Sequence, residues 1–520
     1  MIVIPITANN VIESFEEIRK AAKVADIIEL RSDYLFTANR IILRKLLRFV
    51  RSCKKPVIVT PRDRKQGGAG IIDNNTKIEL ILESIKQKAD YFDIEADKLK
   101  LLKKVDVNDI RKELEDDYGV DIKKFDKDMM KTRFIVSYHN FKKTPDVISV
   151  YKKIRRDAKK YKLKNYVVKI VTLANTIEDN AKIFKLLELA KKDKQAIAAF
   201  CMGNHGEISR VLCAKYGSLF TFGSLEETKM TAPGQINAEL LKNIYRVNKQ
   251  DAATKVFGLI GKPVNESKGY LVHNLCFENK KINAVYVNFL VDDLKKFLAV
   301  YKDRFNGFSI TMPYKQSIVK YLNKEEQNAK MIGAVNTAAI NGGKLSGYNT
   351  DYNGALEALI KATKLADKKV LIIGAGGVAK AILAALINEG AIVTIADSDE
   401  HKARSVANAF NAEYCTIKEI ADVEFDILIN ATPIGMAPNT DAMPVSNEIL
   451  DKLDKKKVVF DVVYSPEKTK LLEEAEKRHA IIVSGVDMFI LQAREQFRIF
   501  TGKQPDLRLM KRILVKGALK

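Results

Sequence analysis

The sequence predicts an α/β protein: an N-terminal (β/α)8 TIM barrel followed by a two-subdomain unit that contains a Rossmann nucleotide-binding domain. Three observations predict it. At 520 residues the chain is too long for one hydrophobic core. Residues 1–247 alternate eight short apolar runs with amphipathic helical stretches, the pattern of a parallel barrel. Residues 369–386, KVLIIGAGGVAKAILAAL, read as a buried strand running into a glycine-rich turn and then a helix.

In chain order the runs are IVIPI (2–6), DIIELR (26–31), VIVTPR (57–62), YFDIEA (91–96), RFIVSYH (133–139), YVVKIV (166–171), AIAAFCM (196–202) and LFTF (219–222). They are nearly continuous in apolar residues because a parallel strand is covered on both faces. Helical patterns such as 10–24, 39–52, 144–160 and 176–192 separate them. The segment 103–131 is long, charged and apolar-poor for a crossover, and no function is assigned to it. After the polar stretch NKQDAATK (248–255) a second α/β pattern begins, with VFGLIG, AVYVNFLV and GFSIT as strands. The expected domains are 1–249 for the barrel, 250–355 completed by C-terminal helices at about 488–520, and 356–487 for the Rossmann part.

Composition excludes several classes. The chain is 47% hydrophobic and 29% charged, and no apolar run approaches the roughly 20 residues that span a bilayer. The opening MIVIPITANN reads as a strand rather than a signal peptide. Cys53, Cys201, Cys213, Cys276 and Cys415 are scattered, with no C-x-x-C pair or zinc-ligand spacing, so the expectation is reduced thiols, a cytoplasmic setting and no metal. The net charge of +23 suits nucleic acid, an anionic membrane or small anionic substrates. Its excess lysines lie on amphipathic helices such as YKKIRRDAKKYKLKN (151–165), without aromatic interleaving or a groove-reading helix. A solvated surface with small anions as ligands is therefore expected, and neither nucleic acid nor membrane as partner.

In a (β/α)8 barrel the chemistry sits where strands run into the following loops, and there the sequence places polar residues out of character with their runs. Glu29 and Arg31 end the second run, Arg62 the third, Glu95 the fourth, His139 the fifth and Lys169 the sixth. Alternation puts Glu29 and Arg31 on one face, and Asp93 and Glu95 on one face. Lys169 lies inside VVKIV, where an unpaired ammonium is costly. Its bland reading is a solvated or ion-paired lysine; the chemical reading is a nucleophile, made neutral by desolvation and nearby arginines and able to form a Schiff base with a carbonyl. His139, from the adjacent strand end, can then abstract a proton beside the iminium carbon and return one to the leaving group.

In the second half Gly374, Gly376 and Gly377 permit a tight turn and the close approach of a pyrophosphate to a helix N-terminus. The turn and first helical residues, Gly374, Ala375, Gly376, Gly377, Val378 and Ala379, are assigned to a dinucleotide, with Thr432 and Gly485. Asp397 follows 23 positions beyond Gly374, at the end of the next strand, where a carboxylate accepts ribose hydroxyls and repels a 2′-phosphate.

Six segments of the first half, ELRSD (29–33), TPR (60–62), SYHN (137–140), VKIV (168–171), MGNHGEISR (202–210) and TAPGQ (231–235), resemble type I 3-dehydroquinate dehydratase. The resemblance implies Lys169 as the Schiff-base lysine, His139 as the acid/base and Arg210 as the carboxylate receptor. It also implies that Glu29, Arg31, Arg62, Thr231 and Gln235 hold hydroxyls and carboxylate. Many members carry Glu where RKQGG has Gln66.

The second half resembles shikimate dehydrogenase through GKPVNESKG (261–269), SITMPYK (309–315), GAVNT (333–337), GYNTDYNG (347–354), NATPIGM (430–436), DVVYSPEKT (461–469) and GVDMFILQAREQF (485–497). The resemblance implies Lys315 and Asp351 as the catalytic pair, although Asp351 also reads as a helix N-cap. Ser267, Thr311, Asn336, Tyr464 and Gln492 are implied to hold substrate. The implied protein is a bifunctional enzyme that dehydrates 3-dehydroquinate to 3-dehydroshikimate and reduces that to shikimate with NAD(P)H.

Two further departures from the family pattern bear on specificity. Gly269 replaces the second Ser of Ser-x-Ser, opening space near substrate C1 that admits quinate as an alternative substrate. Asp397-Ser398 replaces Asn-Arg, removing the guanidinium that clamps the NADP 2′-phosphate. NAD is therefore favoured here against the family's NADP, with Lys402 or Arg404 as the residues able to restore NADP. A metabolite sensor that kept both folds and lost turnover is disfavoured, because Lys169, His139, Arg210, Lys315 and Asp351 are all present.

Overall fold

The computed structural model describes residues 1–104 and 132–516; most of the 103–131 segment lies outside the described residues. The chain divides into two compact units, Met1–Thr254 with Phe289–Val300, and Lys255–Asn288 with Tyr301–Lys520.

The first unit is a parallel (β/α)8 barrel. Strands β1 (Ile2–Ile6), β2 (Ile27–Arg31), β3 (Val57–Thr60), β4 (Tyr91–Glu95), β5 (Arg133–Asn140), β6 (Val167–Leu173) and β7 (Ile197–Met202) pair in sequence order, β8 (Thr221–Ser224) pairs with β1, and the two-residue β9 (Ile236–Asn237) pairs with β8. The ring closes where the Leu219 N–H donates to the Ile197 carbonyl at 2.8 Å. The eighth strand sits two residues later than LFTF, β6 runs two residues past YVVKIV, and β3 ends two residues before the end of VIVTPR. The helices start where the sequence supplies Asx caps: Asn10, Asn39, Asp73 and Asp146 each accept a backbone N–H of the first turn, satisfying donors that the helix itself leaves unpaired.

Inward-facing residues recur every second position. At one end of the barrel they are apolar: Val3, Ile27, Ile58, Ile135, Val167 and Phe220 form one buried cluster. Two residues further along the same strands the inward face turns polar, with Glu29, Thr60, Asp93, Ser137 and Lys169, all buried. One barrel thus carries a packed plug and a polar mouth.

The second unit contains two sheets. The order β11 (Ala284–Leu290), β10 (Lys255–Gly261), β12 (Gly307–Ile310), β14 (Thr337–Asn341), β15 (Lys344–Tyr348), β13 (Lys324–Glu325) is mixed, since β12 and β14 run antiparallel. The other sheet, β18 (Glu413–Thr416), β17 (Ile392–Asp397), β16 (Lys369–Ile373), β19 (Ile427–Asn430), β20 (Val458–Asp461), β21 (Ile481–Val483), is all parallel and follows the 3-2-1-4-5-6 order of a dinucleotide-binding domain. Helix Gly485–Thr501 packs along helix Thr350–Ile360, which carries Asp351.

Ile58 is fully buried in the barrel plug. Ile58→Ala is expected to lower barrel stability by about 2–5 kcal/mol through cavity formation, read as an earlier barrel transition in denaturant.

Candidate functional site

The eight residues that the sequence assigned to catalysis or substrate in the first half line one cavity at the barrel mouth, Glu29, Arg31, Arg62, His139, Lys169, Arg210, Thr231 and Gln235, joined by Gln66, whereas Glu95 is not among its lining and pairs with Lys77 at 3.0 Å. Lys169 sits over the Phe222 ring, 4.2 Å from its centroid, with its Nζ 3.0 Å from Asp93 Oδ2 and 3.6 Å from Glu29 Oε1. The arginines expected to drive it neutral are paired elsewhere, Arg62 with Asp93 at 2.6 Å and Arg31 with Asp33 at 2.7 Å. Its nearest charges are therefore carboxylates rather than the arginines that the sequence argument placed beside it.

His139 is held neutral. Burial and the positive charges of Arg62, Lys169 and Arg31 keep its imidazole well below the usual range, and Asp93 only partly offsets them. Its Nδ1 faces Gln66 Oε1 at 3.3 Å, and its backbone N–H donates to the same oxygen at 3.2 Å. The Gln66 amide is oriented by its Nε2, which donates to Asp97 Oδ1 at 3.4 Å. An amide oxygen can only accept, so Nδ1 carries the proton and Nε2 is left with a free lone pair.

Arg210 is 1% exposed, and its Nε and Nη2 have no hydrogen-bond partner among the described residues. Burial lowers it to about 10. The nearby Glu207 does not neutralise it, because burial raises that carboxyl to about 7. Gln235 Oε1 accepts the Thr231 N–H at 2.8 Å, leaving Gln235 Nε2 buried and without a partner among the described residues. A buried cation and a buried amide with open donors in one cavity form a receptor for a carboxylate and its neighbouring oxygens.

In the second unit Lys315 Nζ lies 2.6 Å from Asp351 Oδ2. Asp351 does not cap its helix: Asn349 does, accepting the Asp351 and Tyr352 N–H groups, so the carboxylate is free for the lysine. Thr350 Oγ1 bonds Asn336 at 3.0 Å and Gln492 at 3.3 Å, which ties those two residues beside Asp351. Ser267 Oγ accepts the Gly269 N–H at 3.3 Å. A Cβ built on Gly269 meets Ser267 Oγ at 3.4 Å and the Tyr286 hydroxyl at 3.6 Å, ordinary contacts, so the glycine leaves real space there. Thr311 packs on Gly261, Tyr464 on Phe489, and Thr432 donates to Asn430 Oδ1 at 2.6 Å.

Lys315 also borders the glycine turn: a Cβ on Gly377 comes 3.4 Å from its Cδ. The two features share a cavity of about 370 Å³ with Lys380, Lys402 and Ser405. Gly374 has φ +108 and lies so close to the Ala431 backbone that a side chain does not fit, whereas Gly376 faces open space. The helix Gly377–Asn388 has no side-chain N-cap, leaving its first N–H groups to a ligand. These features fit a dinucleotide pyrophosphate. The Ala379 side chain belongs to the core and Val378 packs against it, so only their backbones can serve it. Gly485 is explained by packing, since a Cβ there meets the Val463 carbonyl at 2.3 Å. Asp397 turns toward the glycine turn, accepting the Ala375 N–H at 2.7 Å and the Asp399 N–H at 3.0 Å. Burial opposes its charge, but those N–H groups and Lys402 hold it below the usual carboxylate range, and lone pairs remain for a ribose hydroxyl.

Sequence reasoning missed the role of Asp93, whose position on the inward face of β4 was visible, and of Asn349 and Asp97, which act only through neighbours brought close by folding. Among the described residues no group of three or more His, Cys, Asp or Glu is arranged to hold a metal, and no helix is long and apolar enough to cross a membrane.

Fold and sites together define a Schiff-base type barrel joined to a dinucleotide-binding dehydrogenase unit. Residues 2–252 match the type I 3-dehydroquinase family, 259–338 the shikimate dehydrogenase substrate binding domain, 357–468 the shikimate/quinate 5-dehydrogenase family and 485–515 the shikimate 5′-dehydrogenase C-terminal domain. A bifunctional 3-dehydroquinate dehydratase/shikimate dehydrogenase, chloroplastic, of Arabidopsis thaliana is 33% identical over 99% of this chain and 84% of its own. A shikimate dehydrogenase (NADP(+)) of Methanocaldococcus jannaschii is 40% identical over 51% of this chain and 98% of its own. The structure of quinate dehydrogenase from Corynebacterium glutamicum in complex with NAD is 31% identical, covers 51% of this chain and 99% of its own, and has a TM-score of 0.47. The chain belongs to the bifunctional 3-dehydroquinate dehydratase/shikimate dehydrogenase family.

Gln66→Glu places a carboxylate on His139 Nδ1, which favours the imidazolium. The acidic limb of barrel activity is expected to move to higher pH by about one unit, measured as the pH profile of kcat/KM.

Proposed function

We propose that the barrel dehydrates 3-dehydroquinate to 3-dehydroshikimate through an imine on Lys169, and that the second unit reduces 3-dehydroshikimate to shikimate with NAD(P)H. The observation that carries this reading is the buried Arg210 guanidinium in the same cavity as Lys169, whose Nε and Nη2 have no hydrogen-bond partner among the described residues and can receive the carboxylate of a small anionic ketone. Lys169 attacks the ketone, water leaves, and the iminium acidifies the adjacent carbon. His139 Nε2 takes that proton and passes one to the departing hydroxyl. Glu29, Arg31, Arg62, Thr231 and Gln235 bind the remaining oxygens.

In the second unit a bound nicotinamide dinucleotide supplies the reducing equivalent. Lys315 protonates the forming alkoxide, and Asp351 at 2.6 Å orients its ammonium and takes a hydroxyl hydrogen bond. Ser267, Thr311, Asn336, Tyr464 and Gln492 hold the substrate's carboxylate and hydroxyls, and the Gly374–Ala379 turn with Thr432 holds the dinucleotide. Asp397, kept ionised beside the ribose position, favours NAD over NADP. A second reading, quinate oxidation with NAD, is supported by the space at Gly269 beside the Tyr286 hydroxyl. Five unpaired cysteines suit a reducing, cytoplasmic setting.

Lys169→Met is expected to lower dehydration of 3-dehydroquinate by 10⁴-fold or more while shikimate oxidation by the same preparation stays within twofold. Retained dehydration contradicts the barrel assignment. Shikimate oxidation is expected to run at least tenfold more efficiently with NAD than with NADP, and Asp397→Asn to narrow that gap; steady-state kinetics with both dinucleotides checks this, and an NADP preference in the unaltered protein overturns it.

A further inference from the structure

We propose that Asp93 is the counter-ion of the reacting nitrogen in the barrel, holding Lys169 as an ammonium in the free enzyme and the Schiff base as an iminium once substrate is joined. The inference rests on Lys169 being the imine-forming residue. Asp93 projects from the inward face of β4 and is 1% exposed. Its Oδ2 receives two cationic donors, Arg62 Nη2 at 2.6 Å and Lys169 Nζ at 3.0 Å. Its Oδ1 is buried and accepts no hydrogen bond among the described residues. Burial alone pushes such a carboxyl up, but the positive charges of Arg62 and Lys169 outweigh burial and hold it well below the usual range.

Charge balance makes this placement useful. An ammonium and a ketone give an iminium and one water with no net proton exchanged: the amine sheds one proton before attack, and one proton returns to the carbinolamine hydroxyl as it leaves. The nitrogen therefore carries a positive charge at both ends of the sequence, in a cavity where an uncompensated charge is strongly disfavoured. Asp93 supplies that compensation from a fixed position, because Arg62 anchors the shared oxygen. Arg62 is itself pinned by Ser137 at 2.6 Å and lies 3.7 Å from Glu95. Glu29, the other carboxylate facing the lysine, stands further off at 3.6 Å, and its Oε1 also accepts the Thr60 hydroxyl at 2.8 Å. A protonated imine is the electron sink that proton removal by His139 requires, so a counter-ion that keeps it protonated speeds elimination as well as stabilising the resting lysine.

Asp93→Asn keeps the shape and removes the charge. The groups facing Lys169 are then Glu29, Arg62 and His139, and the amine gives up its proton more readily. Dehydration kcat is expected to fall 100-fold or more with KM within threefold, and the limb of the kcat/KM profile set by deprotonation of Lys169 to move to lower pH by at least one unit. Glu29→Gln should move that limb less. An unchanged barrel transition in denaturant for each variant serves as the folding control. A fall in kcat without displacement of the limb, or a kcat within threefold of the unaltered protein, overturns the counter-ion assignment. If Lys169→Met still dehydrates, the imine reading itself falls, an outcome separate from either of these.

Discussion

The compensation of buried charge governs the barrel. Strand alternation forces a set of ionised side chains onto the inner face at one level, where their burial weakens the stabilisation that water gives their charges. Each must therefore find a partner inside the fold: Arg31 takes Asp33, Lys77 takes Glu95, and Arg62 and Lys169 share Asp93. The pairing aims side chains that otherwise have many rotamers, and it makes the mouth a rigid template before substrate arrives. Within the mouth's lining Arg210 keeps donors that have no partner among the described residues, and the proposed receptor for an anion rests on that imbalance.

The second unit relies on backbone more than on charge. Its glycine turn exposes N–H groups at the start of a helix, and the close approach of Gly374 to the Ala431 backbone sets the turn's position. One short ion pair, Lys315 with Asp351, stands at the edge of that turn, and Asn349 frees the carboxylate by taking over the helix cap. The division of labour between Asn349 and Asp351 shows how one residue's local bonding decides whether its neighbour is available for chemistry.

Much of this was legible in the sequence. Short apolar runs separated by amphipathic stretches report backbone geometry directly, so the strands were located to within about two residues; β8 slipped because its pairing with β1 lies more than 200 residues away in sequence. Lysine, histidine and arginine stood out because they interrupt apolar runs. What the sequence does not carry is which charges meet. The carboxylates beside Lys169 come from β2 and β4, and their proximity follows from barrel closure rather than from any local spacing. The inward turn of Asp397 and the Gln66 to Asp97 bond that fixes the His139 tautomer are likewise products of tertiary packing.

The most direct test of the account is borohydride reduction in the presence of 3-dehydroquinate followed by peptide mass mapping. The account predicts one stable adduct, located on Lys169 in the peptide containing VVKIV. An adduct on another lysine, or none under turnover conditions, contradicts it.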